Sequence, residues 1–185
     1  WDLGVVLHIS ELAEMTPSSG PRAEYVRYNV PAELESHIKI INTICEPTPA
    51  DLERAVREIV SCRAILSMSL HGLVIAETYG IPCAWFRDSG KSETSFVDLQ
   101  DGSARVDHRL RDYYLGKGSR KLLTFGQSRS KQTNWERALR DIQDTWTPTS
   151  RDTDRLLDAF PLPLSVSDQY EVRPLTLAAA ATLPL

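Results

Sequence analysis

The chain has 185 residues, 42% of them hydrophobic and 25% charged, with a formal net charge of −4. That is enough for one folded domain with a real core, and the acidic balance excludes the basic footprint that a nucleic-acid backbone demands. No apolar run approaches the roughly 20 residues of a bilayer-crossing helix, and no basic stretch followed by an apolar core marks a signal peptide.

Leu3 to Ile9 is a continuous apolar run, the pattern of a central strand covered on both faces, with His8 near its carboxyl end. A chain whose first residue, Trp1, lies so close to a strand is expected to be the C-terminal portion of a longer protein. Thr16 to Pro21 is rich in Pro, Ser and Gly and reads as a loop. Arg22 to Ser36 is ambiguous: Val26, Tyr28 and Val30 alternate like a strand, while the segment from Pro31 fits one helical turn. His37 to Cys45 carries Ile38, Ile40, Ile41 and Ile44 and is expected to be a buried strand. Thr48, Pro49 and Asp51 form a helix start with a capping hydroxyl, and Leu52, Ala55, Val56 and Ile59 follow on one face.

Ala64 to Leu66 is a short apolar run that breaks at Ser67-Met68-Ser69-Leu70-His71-Gly72. Leu73, Ile75, Ala76 and Tyr79 then recur at helical spacing, Gly80 stops the helix, and Ile81 to Phe86 is a second apolar run. This is β-α-β grammar, so an α/β fold with a Rossmann-like parallel sheet flanked by helices is expected. Arg87 to Glu93 is a polar loop and Val97 to Asp107 is acidic and glycine-bearing. Asp112 to Gly118 mixes tyrosines with glycines, which fits a turn with packed rings or a rim shaped against a sugar. Trp135, Ala138, Leu139, Ile142 and Trp146 mark an amphipathic helix, and Leu156, Leu157 and Phe160 a further one, started near Ser150 and stopped by Pro161. Residues 1–162 are expected to form one lobe and residues 163–185, which lack any period, a poorly ordered or docked tail.

In parallel sheets ligands sit beyond the carboxyl ends of the strands, so the elbow from Ser67 to Gly72 is the place for chemistry. Where strand hands over to helix, the first backbone N–H groups have no partner within the helix and favour a phosphate or carboxylate. Ser67, Ser69 and Gly72 are small enough to admit one, and His71 would stand in the first helical turn beside it. The dinucleotide, P-loop, zinc-protease and hydrolase-elbow motifs are absent from the sequence. Cys45, Cys62 and Cys83 stand far apart, without the spacing of a zinc site, and are expected to be free thiols. Lys117, Arg120 and Lys121 form a basic cluster, either a solvated face or a clamp on an anion.

Three blocks, Leu3 to His8, Ala64 to Pro82 and Arg111 to Tyr114, resemble in that order the C-terminal half of the polysaccharide pyruvyltransferase family. Ser69-Leu70-His71-Gly72, with Ala76 and Gly80-Ile81-Pro82 behind it, is the specific part. The resemblance implies the C-terminal lobe of a two-lobed transferase similar to GT-B glycosyltransferases, with a separate N-terminal lobe completing the cleft. It also implies transfer of a pyruvyl group from phosphoenolpyruvate, a co-substrate with no further cofactor and no metal, to hydroxyls of a sugar or lipid-linked oligosaccharide. The work would belong to exopolysaccharide or cell-surface polysaccharide synthesis, in the cytoplasm or at the inner face of the membrane. His71 matches the family's functional histidine, with Ser67, Ser69, Leu70 and Gly72 as donor contacts. Some relatives carry arginine where Ser69 stands, so a cation is expected from Arg63, Arg109, Arg111 or the other lobe, with His8, Tyr113 and Tyr114 as further rim contacts. The alternatives are a GT-B glycosyltransferase that grips a nucleotide sugar's ribose through Glu77, and a non-catalytic scaffold lobe.

Overall fold

The apolar runs become strands of one sheet in the structure, a computed structural model that describes residues 1–148. In chain order these are β1 (Leu3–Val6), β2 (Ile38–Ile41), β3 (Ala64–Ser67), β4 (Cys83–Arg87), β5 (Glu93–Asp98) and β6 (Lys121–Gly126). The helices are α1 (Pro49–Val60), α2 (Leu70–Thr78), α3 (His108–Gly116) and α4 (Trp135–Thr145). The spatial order is β2-β1-β3-β4-β6-β5. All neighbours pair in parallel except β5, which lies antiparallel to β6 at the edge. The fold is therefore α/β, with a mostly parallel sheet.

Alternation along each strand sends side chains to two layers. On one face Val6, Ile65, Cys83 and Leu122 pack with Ile59 of α1, Leu73 and Ala76 of α2, and Leu110 and Tyr114 of α3. On the other, Leu3, Val5, Leu66, Phe86 and Phe125 pack with Trp135, Ala138 and Ile142 of α4 and with Tyr28. Every β1 residue is buried, as a strand with neighbours on both sides should be. Gly4 is required there: a Cβ would stand 2.7 Å from both Cys62 Sγ and Ile65 Cδ1.

The caps explain where helices begin and end. Thr48 Oγ1 accepts from the Asp51 N–H at 3.2 Å, with Pro49 in the first turn of α1, as its residues dictate. Gly80 ends α2 at φ 68°, in the left-handed region that glycine enters without steric cost. The Ile81 N–H reaches Ala76 O at 2.8 Å and the Gly80 N–H reaches Glu77 O at 3.2 Å, the paired closure of a Schellman motif. Pro82 and β4 can then follow at once.

Several expectations are corrected. The strand at Ile38–Ile41 lies at the sheet edge and is only partly covered, since no strand among the described residues pairs with its outer side. The alternation of Val26, Tyr28 and Val30 gives no strand; Val26–Tyr28 and Ala32–Leu34 are short 3-10 turns. Asp112 to Gly116 is not a turn but the latter half of α3, and Gly118, at φ 81°, closes it. One edge strand, β5, is antiparallel and begins at Glu93, the last residue of the expected loop, where no strand is read from the sequence. The three cysteines are free thiols. The expected helix around Leu156, Leu157 and Phe160 and the tail from 163 lie outside the described residues. No helix among the described residues is long and apolar enough to cross a membrane.

Candidate active site

The elbow is built from the inside. Ser67 ends β3 fully buried, and its Oγ donates to Ser69 O at 2.7 Å while accepting from the Ser69 N–H at 3.0 Å. Gly72 sits against that hydroxyl: a Cβ there would come within 2.4 Å of Ser67 Oγ and 2.9 Å of Val6 Cγ1. Both residues were expected to touch a ligand. In the structure their work is to close the turn and bring α2 down on β1 and β3. Ser69 is also nearly buried and, although it stands at the N-cap, its side chain makes no cap hydrogen bond. The positive end of α2 is thus not satisfied by its own cap residue. His71 is exposed in the first turn, without a hydrogen bond or ion pair to any other described residue.

Beside the elbow lies a pocket of about 220 Å³, lined by His8, Ser10, Met68, Leu70, Trp85, Asp107, Arg109 and Leu110. His8 arrives just past β1, Met68 and Leu70 come from the elbow, Trp85 from β4, and the last three from the start of α3. Two helix amino termini therefore open on one cavity at the carboxyl ends of the strands, where an α/β sheet holds ligands.

The polar groups of this pocket are held in place. His8 Nδ1 lies 2.8 Å from Ser10 Oγ and accepts from the Ser10 N–H at 3.2 Å. With Nδ1 serving as acceptor, the neutral ring carries its proton on Nε2. Asp107 caps α3 by accepting from the Arg109 N–H at 2.8 Å, and its two oxygens take Arg109 Nε at 3.1 Å and Nη2 at 3.0 Å. Hydrogen bonding from the Arg109 side chain holds the Asp107 carboxyl down at about 2. It is ionised throughout the neutral range.

The other expected contacts are elsewhere. Arg63 precedes β3 at the opposite rim, where its N–H donates to Trp1 O at 3.0 Å and its guanidinium pairs with Asp2 at 3.2 Å. The length of a strand separates it from the elbow. Arg111 donates to Asp101 O and Ala104 O at 3.2 and 3.0 Å and ties down the connection before α3. Tyr113 and Tyr114 meet edge to face at 5.1 Å, with Tyr114 buried, and the Tyr113 hydroxyl lies 3.5 Å from Glu77 Oε2 at the carboxyl end of α2. Glu77, the candidate for gripping a ribose, is paired there with Lys117. These groups line or adjoin a larger cavity, about 450 Å³, near the amino ends of β4 and β6. Its size does not make it the better site: among its described lining its one carboxylate is neutralised, and no helix amino terminus opens on it.

Ser10, Met68, Trp85, Asp107 and Leu110 were missed from the sequence. Asp107 had a signal: an N-cap residue followed by Leu110 and Tyr114, one helical turn apart on the buried face.

The mostly parallel α/β sheet gathers two helix amino termini, an imidazole and a guanidinium around one cavity, an arrangement whose positive charge favours an anion. The family model of polysaccharide pyruvyl transferase matches residues 9–90, somewhat under half of the chain, and supports the family resemblance over a span that includes the whole elbow and α2. The description of that family names polysaccharide pyruvyl transfer. No curated protein and no solved structure matches the chain significantly.

Proposed function

We propose that the chain is the C-terminal, GT-B-like lobe of an enzyme that moves a pyruvyl group from phosphoenolpyruvate onto two hydroxyls of a sugar as a ketal. The observation that carries this reading is the elbow: it lies within the matched span, and it presents an unpaired, exposed His71 on the uncapped positive end of α2. The reaction has two halves. A sugar hydroxyl adds to C2 of the enol phosphate, losing its proton to a base, while the acid delivers a proton to the methylene carbon, which becomes the methyl group. The second hydroxyl then attacks the same C2 as the bond to the phosphate oxygen breaks, and phosphate leaves carrying that hydroxyl's proton. His71 is the acid for the first half, and the backbone N–H groups opening α2 take up anionic charge on the donor. The acceptor is a sugar or lipid-linked oligosaccharide of cell-surface polysaccharide synthesis, met at the cytoplasmic face of the membrane, and a second lobe supplies the remaining wall of the cleft.

Titration of phosphoenolpyruvate into the chain, followed by NMR, tests this. Saturable shifts at Leu70 to Gly72 are expected, weakened at least tenfold in His71→Ala. A nucleotide sugar is the comparison ligand: if it binds at the elbow and phosphoenolpyruvate does not, the function is glycosyl transfer.

A further inference from the structure

The elbow has too little positive charge for such a donor. Phosphoenolpyruvate presents a carboxylate and a phosphate, whereas Ser67, Ser69, Leu70 and Gly72 are neutral and His71 is cationic only when protonated. Of the other described arginines near this rim, Arg27 is buried against Glu11, Arg129 bridges Glu11 and Asp88, and neither Arg87 at the end of β4 nor Arg105 lines the pocket. Arg109 is different, because it lines the pocket that the start of α2 also lines.

We propose that Arg109 is the residue that anchors the donor's anion, with Asp107 as the group that orients it and the His8 Nε2–H as a second donor across the same pocket. Deepening the pyruvyl-transfer reading, this assignment rests on it. A guanidinium has five N–H groups in a planar fork. Asp107 takes the Nε edge of that fork at 3.1 and 3.0 Å, which fixes its plane and leaves the Nη1 side available to a ligand. His8 is fixed in the same manner, since its Nδ1 bond to Ser10 leaves Nε2 as the free donor. The floor between them is Met68, Leu70 and Trp85, an apolar surface suited to the enol carbons. The cationic group thus comes from α3, across the pocket from the helix that carries His71.

The experiment measures phosphoenolpyruvate dissociation constants for the 185-residue chain and for Arg109→Gln, Arg109→Lys and Arg120→Gln, with circular dichroism to verify the fold. Arg109→Gln is expected to weaken binding at least tenfold, and Arg109→Lys to weaken it less, because charge is kept and the fork is lost. Arg120→Gln, an exposed cation away from the pocket, should leave binding unchanged. Inorganic phosphate and pyruvate as separate probes show which end of the donor Arg109 holds, since the variant loses affinity for that probe alone. Equal binding by the parent chain and Arg109→Gln overturns the assignment while leaving the pyruvyl reading intact. Equal losses in Arg109→Gln and Arg120→Gln overturn it too, as general charge attraction. A parent chain that binds a nucleotide sugar and not phosphoenolpyruvate removes the reading and the assignment together.

Discussion

Glu11 carries more of the rim than any other single side chain described. Fully buried, its carboxylate accepts from Arg27 at 2.5 Å, from the Tyr28 hydroxyl at 2.9 Å and from Arg129 at 2.7 Å, and Arg129 continues to Asp88 at 2.9 Å. One residue thereby joins the turn after β1, the 3-10 turn at Val26–Tyr28, the segment after β6 and the loop after β4. The Arg27 guanidinium also lies over the Phe86 and Tyr28 rings, at 4.6 and 4.9 Å, so the cluster is packed as well as paired. Replacing Glu11 by Gln would keep the shape and leave two guanidinium groups without their shared counter-charge. A loss of about 3–5 kcal/mol is expected, the range for breaking a buried pair from one side. Urea unfolding of the variant measures it, and a loss under 1 kcal/mol would mean that water reaches the arginines and solvates them. His8 opens the same 3-10 turn that Glu11 closes, so the His8 ring resonances should shift in this variant as well.

At the scale of elements, the β3-elbow-α2-β4 unit is the most sensitive to a single methyl. Gly72→Ala puts a carbon where Ser67 Oγ and the Val6 side chain already stand. Neither can withdraw cheaply, because the hydroxyl holds the turn and Val6 is part of the central strand. A loss of about 1–3 kcal/mol is expected from overpacking, together with displacement of α2 and weaker anion binding. A thermal melt beside the phosphoenolpyruvate titration checks both, and an unchanged melting temperature would show that α2 can ride up without cost. This unit was legible in the sequence because each boundary has a chemical mark: a buried run, a serine turn, helical spacing, then Gly80 in its left-handed closure. The same holds for α1, with Thr48 and Pro49, and for α4, whose Trp135, Ala138 and Ile142 keep one face buried. β5 was not legible, since an antiparallel edge strand of Glu93-Thr94-Ser95-Phe96 with Phe96 half exposed lacks the apolar run of its parallel neighbours. Missing β5 and α3 left Arg109 as one candidate among several, because nothing local to it says that its helix returns to the elbow, whereas Arg63, just ahead of the Ala64 run whose far end is the elbow, was already placed at the opposite rim by the sequence. The elbow's chemistry was visible in order along the chain; its partners across the pocket depend on contacts far apart in sequence.

For the whole molecule, Asp2, Glu11, Asp51, Asp101 and Asp107 are all held below their ordinary values and contribute to the response to acid, and two of them bear on the rim of the site. Burial acts to raise Glu11, but the hydrogen bonds from Arg129 and the charge of Arg27 outweigh it and bring the group below its ordinary value of 4.5. Asp107 is held near 2 by Arg109, against an ordinary 3.8. In each the folded value lies below the unfolded one, so the unfolded chain binds protons more readily and stability falls as pH falls. The contribution is complete above the unfolded-state values, erodes as pH drops below about 4.5 and is exhausted once the folded-state values are passed, which for Asp107 is about 2. Glu11 is the member of this pair that holds the core side of the rim, and Asp107 the one that caps α3 in the open. Acid should therefore first loosen the cluster of Tyr28, Phe86 and Trp135 that packs around Arg27. Near-ultraviolet circular dichroism from pH 7 to 2 is expected to fade in that window before the far-ultraviolet signal does. Stability measured over the same range should fall more steeply in the parent chain than in Glu11→Gln, by at most one proton taken up on unfolding. Parallel slopes in the two would show that the Glu11 carboxyl binds its proton equally well folded and unfolded, so that its pairing does not lower it in the fold.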